Sequence, residues 1–237
     1  MSEKMMIDQE TKELCAKLSR YYSGVVHDIL DKLGIYGYFE GVNLQGALPP
    51  SGKICAPAAT VQFRAGTSRR VQWDVHQAID IAEGHILCID TDWVNGARGS
   101  VYGGLMSTGS QVNGLLGTIV DGTVRDIEEV KKIGYPLYGR GIEPLSAVGR
   151  VISTGLNVTI RCCGLIVSPG DVIFADYDGA VRVPRAALET VVKMAEELFN
   201  EESQEEKNIR NGMPLMQVFH HMEAWEENKK ITNALRP

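Results

Sequence analysis

The stretch YGGLMSTGSQVNGLLGTIVDGTVRDIEEVKKIGYP, residues 102–136, contains the pattern that decides the fold. Two glycines, Gly103 and Gly104, stand where a helix is predicted to begin. The apolar run GTIVD then predicts a buried strand, and an Asp-Gly turn leads directly to Arg125 and Asp126. Because helix, buried strand and turn follow one another here, the stretch predicts a mixed α/β body.

The glycine pair predicts an anion-binding site. A helix that begins near Leu105 presents unpaired backbone N–H groups and the positive end of its dipole. Glycine has no side chain, so a carboxylate could lie against the amides of residues 104–106. Twenty residues separate Gly104 from Arg125, which is about the length of one helix, a turn and a short strand. We therefore expect the glycines and Arg125 to meet at one end of the strand.

Arg125 and Asp126 are the candidate catalytic residues. The planar guanidinium of Arg125 suits a substrate carboxylate or the oxygen of a forming enolate. The carboxylate of Asp126 is a hard oxygen ligand, suited to a magnesium ion that keeps several waters. Together they could polarise a 2-oxo acid, so that a bond to the adjacent carbon breaks and leaves a pyruvate enolate. In the structural alternative, Asp126 caps the helix IEEVKKIG and Arg125 pairs with a nearby surface glutamate.

Helical patterns flank and interrupt a β-rich middle. Apolar residues at helical spacing predict two short N-terminal helices, the second capped by Ser23. Further helices are predicted at 105–115 and 126–133, and a long one begins in VPRAALETVVKMAEELF with Pro184 in its first turn. Turn residues close many of the predicted strands, which are ATVQF, HILCID, GTIVD, YPLYG, NVTI, GLIV, DVIFAD and AVRV.

We predict a single domain with three segments. Residues 1–53 form an N-terminal helical extension packed on the core, 54–184 form the catalytic core, and 185–237 form the C-terminal helix and tail. With 237 residues, of which 44% are hydrophobic, the chain is long enough to bury a sizeable apolar interior.

The composition also limits the partners. No stretch approaches the apolar length of a membrane span, and the N-terminal MSEKMMIDQETKE lacks the apolar block of a signal peptide. We therefore expect a cytoplasmic protein without a membrane partner. A net charge of −6 and a thin spread of lysine and arginine argue against a nucleic-acid partner, since such proteins usually carry a basic patch.

Other residue types offer weaker sites. The five cysteines are scattered except for one adjacent pair, which cannot form a CxxC metal or redox clip, so we expect buried free thiols. Neither GxGxxG nor GxSxG is present, which disfavours a Rossmann dehydrogenase, a methyltransferase and a serine hydrolase. Arg69, Arg70 and Arg98 could reach a second substrate carboxylate, although surface arginines are common. Arg98 is the best placed, because only a short loop separates it from Gly103.

The stretch 102–136 resembles the RraA-like family, which contains 4-hydroxy-4-methyl-2-oxoglutarate and 4-carboxy-4-hydroxy-2-oxoadipate aldolases and regulators of ribonuclease E activity. The aldolase pattern of Gly, twenty residues, Arg-Asp, two residues and an acid is met by Gly104, Arg125, Asp126 and Glu129. The segments SGVVHDILDKLG, KKIGYPLYGRG and SPGDVIFADYDGAVRVP extend the resemblance over most of the chain.

The resemblance implies a swivelling β/β/α core with N-terminal helices and a long C-terminal helix. It implies that Asp126 holds Mg²⁺ or Mn²⁺ and that Arg125 binds the 2-oxo acid and stabilises the enolate. It also implies that backbone amides at the glycine pair hold the pyruvate carboxylate, the substrate-binding residues being Gly103, Gly104, Leu105 and Met106.

The resemblance further implies a homotrimer or homohexamer. In the family's aldolases an acidic residue on the C-terminal helix of a neighbouring subunit approaches the metal. Glu202 is the candidate for that residue here, and Glu201 is nearly as good. The charged run at 200–210 is then part of an active site rather than a plain solvated face.

The sequence thus predicts a divalent-metal-dependent class II pyruvate aldolase that cleaves 4-hydroxy-2-oxo acids and also decarboxylates oxaloacetate. One alternative is a non-catalytic protein that binds and regulates ribonuclease E. Another is a related lyase that acts on a different hydroxy-acid or sugar-acid substrate. The run STGS and Tyr102 depart from what is common in the family, so the identity of the substrate beyond its pyruvate half stays open.

Overall fold

The computed structural model describes residues 3–67 and 73–218. Its α-helices, in chain order, are α1 Gln9–Leu18, α2 Ser23–Lys32, α3 Trp73–Ile81, α4 Gly104–Val112, α5 Ile127–Ile133, α6 Leu188–Arg210 and α7 Leu215–Val218. Short 3₁₀ turns occur at Trp93–Asn95 and Arg185–Ala187. None of the described helices combines the length and the apolar character needed to cross a membrane.

Strands fill the middle of the chain, as the β-rich runs predict. They are β1 Asn43–Leu44, β2 Ile54–Ala65, β3 Ile86–Asp90, β4 Gly117–Val124, β5 Leu137–Ile142, β6 Val151–Leu156, β7 Ile160–Cys162, β8 Leu165–Val167, β9 Val172–Ala175 and β10 Ala180–Val183. Of the predicted strand NVTI only Ile160 lies in a strand, because Asn157 adopts a positive φ and turns the chain.

Four parallel strands form the centre of the main sheet. Their order is β5-β4-β3-β2, and β1 adds an antiparallel edge beside β5. The long strand β2 pairs with β9 through its first half and with β6 through its second half, so the sheet divides at this strand. Strands β7 and β8 form a separate hairpin. The mixed α/β fold is as predicted.

The carboxyl ends of the parallel strands lie at one edge of the sheet. Strand β2 ends at Ala65, β3 at Asp90, β4 at Val124 and β5 at Ile142. In open α/β sheets ligands bind outside the carboxyl ends of the strands. The loop that leads to α4 and the pair that follows β4 both start from this edge.

Successive side chains of the central strands point to opposite faces of the sheet, so the apolar core is divided between these two faces. Leu87 and Ile89 of β3 join the apolar cluster that includes residues of α3 and α5. Ile86 and Cys88 point the other way, into the cluster that includes the β7–β8 hairpin. Successive side chains of a strand face opposite sides, so a strand buried on both faces reads as a continuous apolar run.

The helices at the two ends of the chain share a third apolar cluster. Residues of α1, α2 and α6 pack there against β9 and β10, with Phe174 and Val191 fully buried. The long C-terminal helix is as predicted, but Pro184 precedes a 3₁₀ turn and α6 begins at Leu188. The prediction that Ser23 caps the second helix is wrong, because its hydroxyl instead donates to Asp176 at 2.8 Å.

A buried carboxylate joins the sheet to the hairpin. Asp121 accepts a hydrogen bond from Arg140 Nε at 2.5 Å and from the backbone N–H of Cys163 at 2.7 Å. The five cysteines are free and buried, as predicted. Burial raises the pKa of the Cys162 and Cys163 thiols, which keeps them protonated.

Candidate active site

The end of β4 and the start of α4 meet at the carboxyl edge of the sheet. The backbone N–H of Gly104 donates to Asp126 Oδ2 at 3.1 Å. The backbone N–H of Arg125 donates to the carbonyl of Tyr102 at 3.1 Å. The structure therefore brings together the glycine pair and the Arg-Asp pair, as the spacing predicts.

Asp126 begins α5 by position but does not cap it. Its backbone is left-handed, with φ 59° and ψ 36°, and its side chain makes no capping hydrogen bond to α5. The carboxylate turns back and accepts from the first amide of α4 instead. The alternative prediction, that the Asp126 side chain caps the helix IEEVKKIG, is therefore wrong. The carboxylate lies against the glycine pair and not over the first turn of α5.

Position 103 must be glycine, because two neighbouring side chains approach it closely. A Cβ at this position would lie 2.6 Å from Asp126 Oδ2 and 2.9 Å from Arg125 Cγ. Its φ of −163° is extended backbone that any residue adopts, so space and not conformation excludes a side chain. At Gly104 an added Cβ would be 3.3 Å from Asp126 Cβ, which is tight but less severe.

The first turn of α4 presents donors next to this carboxylate. Among the described residues, the backbone N–H groups of Leu105 and Met106 have no hydrogen-bond partner, and the next amide, of Ser107, donates to the carbonyl of Gly103 at 2.9 Å. Leu105 is 91% exposed, so nothing in the described chain covers the turn. A helix N-terminus with free amides and a positive dipole attracts an anion.

Arg125 and Asp126 face solvent together. Arg125 Nε lies 3.6 Å from Asp126 Oδ2, and the two side chains are 41% and 47% exposed. Both groups are therefore held near each other yet accessible to a small molecule. An exposed ion pair of this kind contributes little to folding stability, so stability alone does not explain the arrangement.

Glu129 lies one helical turn beyond Asp126 and close to Gly104. An ideal Cβ on Gly104 would be 3.6 Å from Glu129 Cβ. The Glu129 carboxylate points outward, where it accepts from Lys132 Nζ at 2.6 Å. The Cβ of Glu129 thus lies near the glycine pair, while its carboxylate forms an ion pair with Lys132 on the surface.

Arg98 lies apart from the Arg125–Asp126 pair, in the loop that follows β3. Its guanidinium carbon sits 4.3 Å from the ring centroid of Trp93, and Nη1 donates to the carbonyl of Ala97 at 2.9 Å. It lines a pocket at the same sheet edge. The other two arginines proposed for a second carboxylate, Arg69 and Arg70, lie outside the described residues.

Glu202 lies on α6 and contacts its own chain. It accepts a hydrogen bond from the hydroxyl of Tyr22, the residue before α2. The pKa of Asp28 on α2 is raised by burial first and by the charge of Glu202 second. Two carboxyl groups thus share this patch of helix surface, and Glu202 is oriented by a side chain of its own subunit.

A buried hydroxyl cluster anchors the start of α4, and sequence reasoning missed it. The hydroxyl of Tyr102 bonds with Ser110 on α4 and accepts from Thr118 on β4 at 3.0 Å. Thr118 in turn bonds with the hydroxyl of Tyr135. Burial raises the pKa of Tyr102, so the phenol stays neutral. Ser110, a polar residue inside the predicted helix 105–115, is a signal that could have indicated this cluster.

Replacing Tyr102 with phenylalanine is expected to lower the free energy of unfolding by about 1–2 kcal/mol, because it leaves buried hydroxyls short of a partner. Urea unfolding measures the change. Tyr177→Phe is the matched control, since Tyr177 is 72% exposed, and its effect should stay within about 0.5 kcal/mol. Equal unfolding midpoints for the two variants would contradict the anchoring role.

A second group of donor atoms lies deeper in the fold. One ligand atom each of Asp121, Cys162 and Cys163 lie within 4.8 Å of one another. The thiols are buried and protonated, and Asp121 is already bonded to Arg140. This group suits a soft cation better than magnesium. Within the described ranges, Asp126 belongs to no such group of three donors.

Comparison with known proteins identifies the family. The profile of the RraA-like family, described as Aldolase/RraA, matches residues 26–182. The chain belongs to the RraA-like family. This family shares the fold predicted for the chain, with N-terminal helices, a curled sheet and a long C-terminal helix, so the predicted fold class is confirmed.

Individual RraA-like relatives are distant. The uncharacterized protein MJ0644 of Methanocaldococcus jannaschii is 32% identical over 51% of this chain, and the match spans 57% of that protein. A Halalkalibacterium halodurans protein, named as a candidate 4-hydroxy-4-methyl-2-oxoglutarate aldolase, is 27% identical over 75% of this chain and 83% of its own length.

A solved RraA-like structure has the same fold over most of the chain. Streptomyces coelicolor RraAS2 is described as an unusual member of the RNase ES inhibitor RraA protein family. It superposes with a TM-score of 0.71 and 26% identity, covering 88% of this chain and 98% of that one. The family therefore includes proteins named as aldolases and proteins named as ribonuclease inhibitors.

Proposed function

We propose that this protein is a divalent-metal-dependent class II pyruvate aldolase. Its substrates would be 4-hydroxy-2-oxo acids such as 4-hydroxy-4-methyl-2-oxoglutarate or 4-carboxy-4-hydroxy-2-oxoadipate, with oxaloacetate decarboxylation as a side activity. One observation carries the proposal: Arg125 and Asp126 lie, half exposed, against the glycine pair at the start of α4. A carboxylate, a guanidinium and free backbone amides meet there. Folding stability does not require the carboxylate or the guanidinium.

Each part of the site has a role in binding the pyruvate half. The free amides of Leu105 and Met106 bind the substrate carboxylate, which also gains from the positive end of the helix dipole. The guanidinium of Arg125 binds the 2-oxo oxygen, where negative charge develops during the reaction. Gly103 leaves room for the side chains of Arg125 and Asp126 to lie beside the start of α4, because any side chain at this position would meet both of them.

Cleavage and decarboxylation share one intermediate. In cleavage the C4 hydroxyl loses its proton, the C3–C4 bond breaks, and its electron pair forms the enolate of pyruvate. The C4 carbon leaves as a carbonyl product, and a proton added at C3 completes pyruvate. In oxaloacetate the bond that breaks is the one to the C4 carboxylate, which leaves as carbon dioxide. Arg125 is placed to stabilise the enolate in both reactions.

The residues present fit a magnesium or manganese ion. Asp126 offers hard oxygen atoms and is 47% exposed, so an ion held there keeps several waters, as magnesium prefers. When bound, the ion supplies Lewis-acid polarisation of the 2-oxo group. Within the described residues Asp126 belongs to no group of three acidic, histidine or cysteine donors, so we propose that a further ligand comes from another subunit.

We propose Glu202 of a neighbouring subunit as that further ligand, in a homotrimer or homohexamer. Tyr22 holds the Glu202 carboxylate on the surface of α6, where it can project toward another chain. Glu201 is the neighbouring alternative and is exposed. Analytical ultracentrifugation tests the assembly, and a monomer that retains metal-dependent turnover would contradict this role of Glu202.

The test of the proposed function is pyruvate release from a panel of 4-hydroxy-2-oxo acids and oxaloacetate. Protein stripped with a chelator is expected to be inactive, and Mg²⁺ or Mn²⁺ should restore turnover, because the carbonyl is polarised by the metal as well as by Arg125. A lactate dehydrogenase couple measures pyruvate. Turnover that is unchanged by chelator, or no turnover of any panel member with metal present, would contradict the proposal.

The likeness to RraAS2 favours one second candidate, a non-catalytic protein that binds and regulates ribonuclease E. Tight binding of purified ribonuclease E, together with no metal-stimulated turnover of oxaloacetate, would place this candidate first. Turnover without binding would remove it.

A further inference from the structure

Three side chains bring metal-binding atoms together where the β7–β8 hairpin packs on the main sheet. The Sγ atoms of Cys162 and Cys163 and a carboxylate oxygen of Asp121 all lie within 4.8 Å of one another. The two cysteines are fully buried, and Asp121 is only 2% exposed. Thiolate sulfur and carboxylate oxygen are both ligands that zinc takes in proteins.

The hairpin turn brings the two adjacent thiols to the same side. Neighbouring side chains of an extended strand point to opposite faces, so adjacent cysteines normally diverge. Cys163 leaves β7 with a left-handed φ of 52°, and its Sγ lies 3.7 Å from that of Cys162. Two thiolates on a tetrahedral zinc ion, with Zn–S bonds of about 2.3 Å, are about 3.8 Å apart. The separation of the two sulfur atoms therefore already fits such an ion.

Asp121 is oriented by two hydrogen-bond donors. Arg140 Nε donates to Oδ1 at 2.5 Å, and the backbone N–H of Cys163 donates to Oδ2 at 2.7 Å. An ionised carboxylate has about four lone-pair positions, so each oxygen keeps one for a metal. Carboxylates that bind metals are commonly held by hydrogen bonds of this kind, which fix their orientation.

Cys88 on β3 is placed to supply a fourth ligand. It is fully buried and packs in the same apolar cluster as Cys162 and Cys163. Burial raises the pKa of the Cys88 thiol, and the charge of Cys162 raises it further, so the two sulfur atoms are near each other. A divalent ion together with Arg140 offsets most of the negative charge that three thiolates and one carboxylate carry.

We propose a structural zinc site that fastens the hairpin to the main sheet, with the ligands Asp121, Cys88, Cys162 and Cys163. The inference goes beyond the proposed function and does not depend on it. Thiolates favour zinc over magnesium, so this ion is distinct from the one proposed at Asp126. Strands β7 and β8 form a two-stranded sheet of their own, whereas Asp121 and Cys88 belong to β4 and β3. The ion joins the two sheets, and each thiol that binds it releases its proton to water.

Zinc content tests the site in the full chain. Protein produced in zinc-supplemented medium and desalted in excess Mg²⁺ is expected to retain about one zinc per chain, measured by elemental mass spectrometry. The double variant Cys162→Ser plus Cys163→Ser should retain less than about one tenth of that amount. Cys15→Ser plus Cys55→Ser is the matched control, because these thiols are also buried but pack in the cluster of α1 and α6.

Asp126→Asn separates this site from the proposed catalytic metal and should retain the zinc. Wild-type protein produced with Co²⁺ gives a readout that needs no variant to fold, since thiolate ligands add charge-transfer absorption that oxygen ligands do not give. Wild-type protein without zinc, or without this absorption, overturns the inference. Equal zinc in the Cys162–Cys163 double variant, loss of zinc in Asp126→Asn, or a disulfide between Cys162 and Cys163 in peptide mapping overturns it as well.

Discussion

Replacing Arg125 with lysine or Asp126 with asparagine is expected to reduce metal-dependent pyruvate release at least about 100-fold. Lysine keeps the charge of Arg125 but loses the planar pair of donors that binds the enolate oxygen and the carboxylate. Asparagine tolerates the left-handed backbone of Asp126, so the substitution removes the negative charge with little backbone strain. Steady-state assays over a range of Mg²⁺ concentrations measure both changes.

The shape of the metal dependence separates the two roles. Asp126→Asn should raise the Mg²⁺ concentration needed for half-maximal rate, whereas Arg125→Lys should lower the rate at saturating metal. Arg161→Lys and Asp178→Asn are the controls, since both residues are exposed and lie outside the site. Wild-type turnover in either site variant would remove Arg125 and Asp126 from the reaction.

Replacing Gly103 with alanine is expected to lower kcat/KM about 100-fold, because one methyl group displaces the two side chains that do the chemistry. The added Cβ would lie 2.6 Å from Asp126 Oδ2 and 2.9 Å from Arg125 Cγ, distances that force both to move. The backbone conformation of Gly103 suits alanine, so the loss is not expected to come from unfolding.

Gly109→Ala in the same helix is the control for this substitution. An added Cβ there makes an ordinary contact of 3.6 Å with Ile79, and alanine stabilises a helix interior by about 0.5–1 kcal/mol relative to glycine. Its activity should stay within about twofold of the wild-type value, and its melting temperature should not fall. If Gly103→Ala and Gly109→Ala had similar activities, close approach at Gly103 would not matter for the site.

Much of the fold was predictable, because it is encoded in local patterns. Apolar spacing placed α4, β4 and α5 close to their observed positions, and their order implied the meeting of the glycine pair with the Arg-Asp pair. The predicted Asp-Gly turn is wrong, because Asp121 and Gly122 lie within β4, which continues to Val124. Strand β6, VISTGL, was missed. Its residues are mostly half-buried, so it carries no strong alternation, and only its pairing with the second half of β2 makes it a strand.

Side-chain partners were less predictable than elements. Asp126 precedes α5 and Ser23 is the first residue of α2. Both residue types are favoured helix caps, yet neither side chain caps its helix. The Asp126 carboxylate bonds to α4, and the Ser23 hydroxyl bonds to Asp176, 153 positions away along the chain. A cap prediction considers only neighbouring residues, and here a distant partner competes for the same polar atoms.

By itself the sequence determined the mixed α/β class, the family resemblance and the candidates Arg125 and Asp126, because spacing, turn chemistry and residue type are local properties. Only the tertiary structure decided that Asp126 turns to Gly104, that Tyr102 anchors α4, and that Arg150 joins Arg98 in one pocket. The reason is physical: these groups come from segments far apart in the chain, and they meet where parallel strands bring their carboxyl ends to a common edge.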